Sequence, residues 1–475
     1  MHVRGKRLSI TVLLLSFYLI SSAQAGNNFF EGFSANGALV NADNDTIGLK
    51  QLTLYSPKAL GINPVKLSLI DSIVNAGIKG KVFPGCQVLV LKGGTPVYDK
   101  CFGNYTYDDN QKVQPTTMYD LASLSKTTGT LLAIMKLYDS GKLQLTDKAS
   151  QYLCFLQGTD KANITIKELL FHESGLPAYL AFSQLMVEKA SKTAVLAASE
   201  KTVQTAFTHK NRITGTDLQY KEGWVSGIAS DEYRYQVSDS VFVSNRLHEA
   251  AMQRIARTKL NSKAYCYSCL NFMLLKEIVE TINGTTMDVF LDNEFFKPMQ
   301  LINMAYLPLR THKREEVAPT LKRDLIRKQG IQGYVHDMDA ALLGGVSGNA
   351  GLFASAGDVA AVYQMLLNGG EKDGKRYLSA ETCRLFTTTT SASGRRGLGF
   401  DKPFAGKNSP CGASAPKVVY GHTGYTGTCC WVDPVNSLVY VFLSNRTYPH
   451  DGINYLAKTG IRTKIQDAIY QSMKK

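Results

Sequence analysis

The stretch YDLASLSKTTGT, residues 119–130, places a serine, Ser123, three positions before a lysine, Lys126. An apolar stripe of helical spacing follows and stops near Gly141, which predicts a long helix that begins at about Ser123. Side chains three positions apart share a helix face, so the lysine ammonium can reach the serine hydroxyl. Because a free serine hydroxyl is a poor nucleophile, this pairing makes Ser123 a candidate for nucleophilic catalysis.

The S-x-x-K pattern occurs three times, so the tetrapeptide by itself discriminates little. The copy at Ser414–Lys417 contains Pro416, which opposes a helix. The copy at Ser472–Lys475 lies close to a terminus that is expected to fray. Only the copy at 123–126 opens a long apolar helix. Taken alone, it is as consistent with an ordinary polar helix start as with catalysis.

The two ends of the chain carry the strand signals. A hairpin is predicted over residues 86–102, and two further strands over 427–432 and 438–443. Helical spacing dominates between them, and a final helix is predicted over 461–473. Strands at both ends with helices between them indicate an α+β unit whose sheet pairs distant segments. The polar, irregular stretch at about 180–260 is predicted to be an insertion or lid.

The first 25 residues have the organisation of a secretory signal peptide. A basic segment precedes an apolar run from Leu8 to Ile20, and the small-residue sequence Ala-Gln-Ala ends at Ala25. We expect cleavage before Gly26, which makes the protein periplasmic or secreted. Residues 26–60 are interpreted as an N-terminal arm and residues 61–475 as the main domain. No later stretch is expected to span a bilayer.

The formal net charge of +14 suits a negatively charged envelope or anionic substrates. No basic run is interleaved with aromatic residues, so no nucleic-acid partner is predicted. The nine cysteines include Cys266, Cys269 and the pair Cys429-Cys430, but no histidines stand at zinc spacing beside them. Buried thiols or a disulfide are therefore favoured over a metal site, and neither a metal nor another cofactor is expected.

Two further motifs follow S-x-x-K in a fixed order. YCYSCLNFMLL places Tyr267 before a predicted helix, and VVYGHTGYTGTCCWVDP places His422, Thr423 and Gly424 at the lip of a predicted strand. With the segments FPGCQVLVLKGG, FHESGLP and GGVSGNAGLFASAGD, this order resembles the serine β-lactamase and penicillin-binding-protein superfamily over residues 60–475. The resemblance is closest to the class C β-lactamase and family VIII-type esterase branch.

The resemblance implies a β-lactamase-like fold, with an antiparallel sheet formed by N- and C-terminal strands, flanking helices and an all-helical region between them. It implies that Ser123 is the acylated nucleophile, that Lys126 helps to activate it and that Tyr267 shuttles the proton. The backbone N–H groups of Ser123 and Tyr425 would form the oxyanion hole. The substrate would contact Cys269, Asn271, His422, Thr423 and Gly424.

Two positions depart from the family pattern. Cys269 stands where Y-x-N has asparagine, and His422 stands where K-T-G has lysine. In the family these residues contact the substrate, and a mostly neutral imidazole attracts a β-lactam carboxylate less well than lysine does. Asn271 is a candidate replacement for the missing amide. Lys458-Thr459-Gly460 spells K-T-G literally, but it lies in the last helical pattern and is rejected.

These departures favour an exported serine esterase, amidase or acyltransferase that acts on a small-molecule or envelope substrate through an acyl-enzyme on Ser123. A β-lactamase or a D,D-carboxypeptidase acting on cell-wall peptide is the alternative. A hypothesis of another class is a sensor module that traps a ligand on Ser123 without turnover. His172 in FHESGLP is interpreted as structural, because its segment resembles a loop that packs beside the site.

Overall fold

The computed structural model describes residues 56–189, 218–406 and 409–474. Residues 56–61 form turns, and residues 62–475 make up one compact unit. The predicted signal peptide at 1–25 and most of the N-terminal arm at 26–60 lie outside the described residues, as does the middle of the expected insertion.

The regular elements are named here in chain order. The strands are β1 (Gly85–Lys92), β2 (Thr95–Gly103), β3 (Tyr119–Asp120), β4 (Val187–Lys189), β5 (Leu218–Tyr220), β6 (Val225–Ser226), β7 (Tyr235–Ser238), β8 (Val241–Val243), β9 (Met304–Tyr306), β10 (Leu352–Ala354), β11 (Glu371–Lys372), β12 (Lys375–Arg376), β13 (Tyr420–Thr423), β14 (Cys429–Asp433) and β15 (Leu438–Ser444). The helices are α1 (Pro64–Leu67), α2 (Leu69–Lys79), α3 (Leu131–Asp139), α4 (Ala149–Tyr152), α5 (Ile166–Phe171), α6 (Ser183–Met186), α7 (Arg246–Arg257), α8 (Cys269–Asn283), α9 (Met287–Leu291), α10 (Met338–Leu342), α11 (Ala356–Leu367), α12 (Ala380–Thr388), α13 (Tyr455–Thr459) and α14 (Ile461–Met473).

The largest sheet joins segments from the two ends of the domain. Its strand order is β13–β14–β15–β1–β2, and every neighbouring pair is antiparallel. β14 and β15 are buried along their whole length. Helices cover the sheet, with α11 against β15 and β1, and with α14 packed on α1 and α2. The predicted α+β class and the pairing of N- and C-terminal strands in one antiparallel sheet are confirmed.

The region between the two halves of the sheet is not all-helical, which corrects the expectation from the sequence. β3, β10 and β9 form an antiparallel three-stranded sheet, and β6, β8 and β7 form another. These strands are two to four residues long, too short for an alternating pattern to show in the sequence. β3 ends three residues before Ser123, so its pairing with β10 ties the nucleophile segment to the glycine-rich segment 344–351.

The stretch at 180–260 is not irregular throughout. In its described part, α7 runs from Arg246 to Arg257 and buries Leu247, Ala251 and Ile255 in the core. Charged residues on the other face of this helix lower its mean hydropathy, so composition alone suggested a loop. The C-terminal part of the expected insertion therefore belongs to the packed domain.

The segment after β3 is not the single α-helix that its spacing predicts. A 3-10 turn, Ala122–Leu124, leads into a π turn, Lys126–Thr130, and α3 begins only at Leu131. The π turn contains three threonines and a glycine, which are weak α-helix formers. The Thr130 hydroxyl donates instead to the Gly348 carbonyl at 2.8 Å. A side-chain bond thus ties this turn to the glycine-rich segment.

Gly348 lies at a close approach of the glycine-rich segment to α8. A Cβ at this position would lie 1.8 Å from the Phe272 carbonyl oxygen. We expect Gly348→Ala to lower the free energy of unfolding by about 3 kcal/mol, measured by urea denaturation. Gly357→Ala is the matched control, because its Cβ meets only the Ser355 hydroxyl, at 3.9 Å, and helices favour alanine. Equal stability of the two variants would contradict this packing argument.

Candidate active site

Ser123 lies at a backbone turn that other segments hold in place. The preceding residue, Ala122, is left-handed with a φ of 46°, a conformation that is costly for a residue with a Cβ. The Ala122 N–H donates to Asp120 Oδ1 at 2.8 Å, and Asp120 Oδ2 accepts from the His336 N–H at 2.7 Å. The Thr426 hydroxyl donates to the Asp120 carbonyl at 2.6 Å. These bonds maintain the strained turn and leave Ser123 half-exposed.

The Lys126 ammonium is buried, and its three N–H donors are matched by three acceptors. Nζ lies 3.1 Å from Ser123 Oγ, 2.9 Å from the Asn349 carbonyl oxygen and 3.6 Å from Cys269 Sγ. The structure therefore brings Ser123 and Lys126 together, as their spacing predicts. It adds the Asn349 carbonyl, to which the sequence assigned no role.

The surroundings of Lys126 keep it charged. Burial is the largest influence on its pKa and lowers it, but interactions with Cys269 and Tyr267 outweigh burial, and the pKa is raised above its usual value. Lys126 is therefore a cation at neutral pH, as its three acceptors require. Burial raises the pKa of the Cys269 thiol, while the neighbouring Lys126 acts in the opposite direction.

Tyr267 lies just before α8, with charged and aromatic groups around its ring. Lys126 Nζ is 5.2 Å and Arg396 Cζ is 5.5 Å from the ring centroid. The rings of His172 and His422 lie 4.5 Å and 6.0 Å away, centroid to centroid. Two cations therefore lie beside the ring of Tyr267. This arrangement suits a proton shuttle, and that role stays a prediction.

β13 brings His422, Thr423 and Gly424 to the nucleophile segment. A Cβ on Gly424 would lie 2.2 Å from the Leu121 carbonyl oxygen, so a larger residue would prevent this approach. The Thr428 hydroxyl donates to the same carbonyl at 2.8 Å. The H-T-G motif therefore lies at the edge of the main sheet, directly against the backbone that leads to the serine.

His422 is buried and neutral. Burial, together with the neighbouring Arg396, lowers its pKa to about 3. Nδ1 lies 2.7 Å from the Thr423 carbonyl oxygen, which makes Nδ1 the donor, and Nε2 accepts from Arg396 Nη2 at 3.2 Å. The imidazole thus carries no charge into the site, but it orients a guanidinium that does.

Arg396 is a site residue that sequence reasoning missed. Its guanidinium is buried, Nη1 pairs with Asp401 Oδ1 at 3.0 Å, and Nε has no hydrogen-bond partner among the described residues. Arg395 pairs with the same carboxylate, so the cluster keeps a net positive charge. The charge that His422 fails to supply thus comes from another segment. The sequence shows only an Arg-Arg pair, with nothing to connect it to the H-T-G motif.

Tyr425, which follows the H-T-G motif, is held on both its side chain and its backbone. Its hydroxyl donates to Asp451 Oδ1 at 2.8 Å, and its carbonyl oxygen accepts from Arg446 Nε at 2.7 Å. A peptide held in this way is suited to present its N–H to a developing oxyanion. The pairing of the Tyr425 and Ser123 N–H groups in an oxyanion hole stays a prediction.

Asn271, the candidate replacement for the missing Y-x-N amide, is buried in α8. Its Oδ1 accepts from the Ser174 hydroxyl at 2.6 Å, and its Nδ2 lies 3.1 Å from His172 Nδ1. Both ends of the amide are therefore engaged inside the protein, which argues against direct substrate contact. The literal K-T-G at 458–460 lies at the end of α13, as expected.

The nine cysteines and the possible metal ligands bear on alternatives that the sequence left open. All nine cysteines are free thiols, so the disulfide alternative is not realised. Across residues 56–189, 218–406 and 409–474, no group of three or more histidine, cysteine or acidic side chains is arranged to hold a metal ion. Over the same ranges, no helix is long and apolar enough to cross a membrane.

The fold and the pairing of Ser123 with the buried Lys126 define a serine hydrolase. The chain belongs to the β-lactamase family, whose model, Beta-lactamase, matches residues 70–459. It is 30% identical over 433 residues to an Escherichia coli O157:H7 protein described as "Putative D-alanyl-D-alanine carboxypeptidase", with coverage of 85% of this chain and 87% of that protein. It is 29% identical over 476 residues to the N-acetylmuramyl-L-alanine amidase of Bacillus subtilis (strain 168), with coverage of 91% and 96%.

Solved structures share this fold at low sequence identity. EstCE1, described as a hydrolase with promiscuous acyltransferase activity, matches with a TM-score of 0.59 at 17% identity and covers 86% of this chain and 99% of its own. A penicillin-binding protein homologue from Caulobacter crescentus matches with a TM-score of 0.57 at 16% identity, over 86% and 98%. The β-lactamase-like fold implied by the sequence motifs is therefore confirmed.

The low pKa of His422 affects how the free energy of unfolding depends on pH. Its value of about 3 lies below the ordinary 6.5, so between these pH values the unfolded chain binds one more proton than the folded chain. The free energy of unfolding therefore falls as the pH falls through this window. It falls by about 1.4 kcal/mol per pH unit where the unfolded chain holds one full proton more than the folded chain. We expect His422→Asn to reduce that slope, measured by urea unfolding at pH 4 to 6. Identical slopes for both proteins would contradict the buried neutral imidazole.

Proposed function

We propose that this protein is an exported hydrolase that cleaves an amide or ester next to a free carboxylate in a cell-envelope peptide, through an acyl-enzyme on Ser123. The cationic cluster of Arg395 and Arg396 carries the proposal, because Arg396 Nη2 lies 3.2 Å from His422 Nε2 and Arg396 Cζ lies 5.5 Å from the centroid of the Tyr267 ring. The D-alanyl-D-alanine and N-acetylmuramyl-L-alanine groups in the names of the two relatives support a peptide of this chemistry.

In the proposed mechanism, Ser123 Oγ attacks the carbonyl carbon of the substrate. Lys126 is already an ammonium, so the Tyr267 oxygen takes the serine proton and releases the proton of its own hydroxyl in the same step. The released proton goes to the leaving amine or alcohol as the C–N or C–O bond breaks. The N–H groups of Ser123 and Tyr425 stabilise the negative charge on the carbonyl oxygen.

Deacylation returns the serine and decides between hydrolysis and transfer. Water attacks the acyl carbon, the Tyr267 oxygen takes the water proton and passes its hydroxyl proton to Ser123 Oγ, and Ser123 leaves as the acid is released. An alcohol or amine in place of water gives acyl transfer. Ser123, Tyr267, Thr423 and Tyr425 are all half-exposed, whereas Lys126 is buried below them. Access of solvent to the acylated serine supports hydrolysis as the main outcome.

Arg396 supports the choice of a carboxylate-bearing substrate. A guanidinium binds carboxylates through paired, charge-assisted N–H donors, and the Nε donor of Arg396 is unused by the described residues. The loss of the K-T-G lysine removes one cation from the site, and the neutral His422 does not replace that charge. With Arg396 beside it, the site retains a cation at the strand edge.

The test compares N-acetyl-D-alanyl-D-alanine with its C-terminal amide, and adds N-acetylmuramyl-L-alanine, p-nitrophenyl acetate and nitrocefin. We expect Ser123→Ala to abolish all turnover. We also expect the natural protein to cleave N-acetyl-D-alanyl-D-alanine at least about tenfold faster than the C-terminal amide of the same dipeptide. Product analysis by mass spectrometry identifies the bond that is cut. Equal cleavage of carboxylate and amide, or nitrocefin as the best substrate, would contradict the proposal.

Arg396→Gln should raise KM for the carboxylate substrate about tenfold, and leave p-nitrophenyl acetate hydrolysis within about twofold. Arg396→Lys keeps the positive charge but not the planar guanidinium. Its KM should therefore lie between that of the natural protein and that of Arg396→Gln. Arg384→Gln removes an exposed cation on α12 and serves as the matched control. A parallel rise in KM for the neutral ester would indicate general damage, which melting temperatures of all variants would reveal.

We also propose that residues 1–25 direct export and are removed. The basic start, the apolar run and the Ala-Gln-Ala sequence before Gly26 support this. Mass spectrometry of the intact protein recovered outside the cytoplasm should give the mass of a chain that begins at Gly26. Ala25→Leu should block processing, because the cleavage site requires a small residue, whereas Asn28→Gln should be processed normally. Full-length protein in the cytoplasm for the natural chain would contradict export.

A further inference from the structure

We infer that His172 is a positioning residue that holds Tyr267 at the nucleophile, an inference that rests on the proposed role of Tyr267 as proton shuttle. Residues 265–268, immediately before α8, belong to neither a helix nor a strand. No regular ladder of backbone hydrogen bonds therefore sets the direction of the Tyr267 ring. Contacts from another segment must set it, and the FHESGLP segment provides them.

His172 contacts the Tyr267 segment at three points. Its carbonyl oxygen accepts from the Cys266 N–H at 2.9 Å, and its ring Nδ1 accepts from the Ser268 N–H at 3.1 Å. Between these two bonds, its ring packs on Tyr267, with centroids 4.5 Å apart and planes tilted by 32°. One residue thus holds the chain on both sides of Tyr267 and also one face of its ring.

The hydrogen bonds define which nitrogen of His172 carries the proton. Asn271 Oδ1 accepts from the Ser174 hydroxyl at 2.6 Å, which turns Asn271 Nδ2 towards His172 Nδ1, 3.1 Å away. With this donor and the Ser268 N–H both facing it, Nδ1 carries no proton, so the neutral ring is protonated on Nε2. Nε2 is buried and has no hydrogen-bond partner in the described chain. Burial, followed by nearby Arg396, holds the pKa of His172 well below its usual value.

The backbone conformation of His172 allows its two side-chain contacts, the Nδ1 hydrogen bond and the ring packing, to be separated by mutation. It is the C-cap of α5, with a left-handed φ of 57°. Asparagine adopts this conformation more readily than most residues, and its carboxamide oxygen stands at about the position of histidine Nδ1. His172→Asn therefore keeps the acceptor and removes the ring. His172→Phe keeps an aromatic ring and removes the acceptor.

The test is a double-mutant cycle of His172→Ala and Tyr267→Phe, read out by the acylation burst and kcat with p-nitrophenyl acetate. Tyr267→Phe should lower the acylation rate about a hundredfold, and His172→Ala about tenfold, with little change in KM. In the Tyr267→Phe background, His172→Ala should cause no further loss, because the phenol it positions is absent. Losses that multiply in the double variant, or a wild-type rate for His172→Ala, would overturn the inference.

The other variants identify the responsible atom. His172→Asn should recover to within about threefold of the natural rate, since it restores the acceptor for the Ser268 N–H. His172→Phe should remain as slow as His172→Ala, and it replaces that variant in the cycle if His172→Ala does not fold. Failure of His172→Asn to exceed the alanine variant would overturn the assignment of Nδ1 as the holding atom.

Two comparisons keep this inference separate from the proposed function. His248→Asn replaces a histidine on α7 that pairs with Glu277 at 2.9 Å, and should keep the natural rate. If Tyr267→Phe itself has the natural rate, the role proposed for Tyr267 is wrong. If Tyr267→Phe is slow while His172→Ala is fast, only the role of His172 is wrong.

Discussion

The buried ammonium of Lys126 is the interaction on which the centre of this protein depends. A charge removed from water is tolerated only when its donors find acceptors. Here the acceptors come from the nucleophile turn, from Asn349 in the glycine-rich segment and from Cys269 at the start of α8. Around this atom, Gly348 approaches α8 closely and the nucleophile helix opens with a π turn. Three separate segments of the chain thus meet at one lysine.

The charges of the site are arranged around one phenol. Lys126 and Arg396 lie on the Tyr267 ring, while the two histidines that pack near it, His172 and His422, are kept neutral by burial and by those same cations. The site therefore offers positive charge without an imidazolium that could titrate near neutrality. Such a field suits the substrate carboxylate that is proposed above.

Much of the fold could be predicted because its main elements are long enough to show a period. The hairpin of β1 and β2, the strands β14 and β15, and the helices α8 and α14 were all indicated by spacing and turn residues. The short strands of the middle region, the π turn and the core-facing stripe of α7 were missed. Two or three residues show no periodicity, and a hydrogen bond to a distant segment leaves no trace in local sequence.

The sequence by itself determined the order of the motifs, the identity of Ser123 and Lys126 as a pair, and the family to which the chain belongs. These follow from spacing along the chain, which local geometry converts directly into contact. The tertiary structure alone decided that Arg396 supplies the cation missing at His422, that the Asn271 amide is engaged elsewhere and that His172 touches Tyr267. Each of these contacts joins residues from separate segments, so only the folded chain brings the groups within hydrogen-bonding or packing distance.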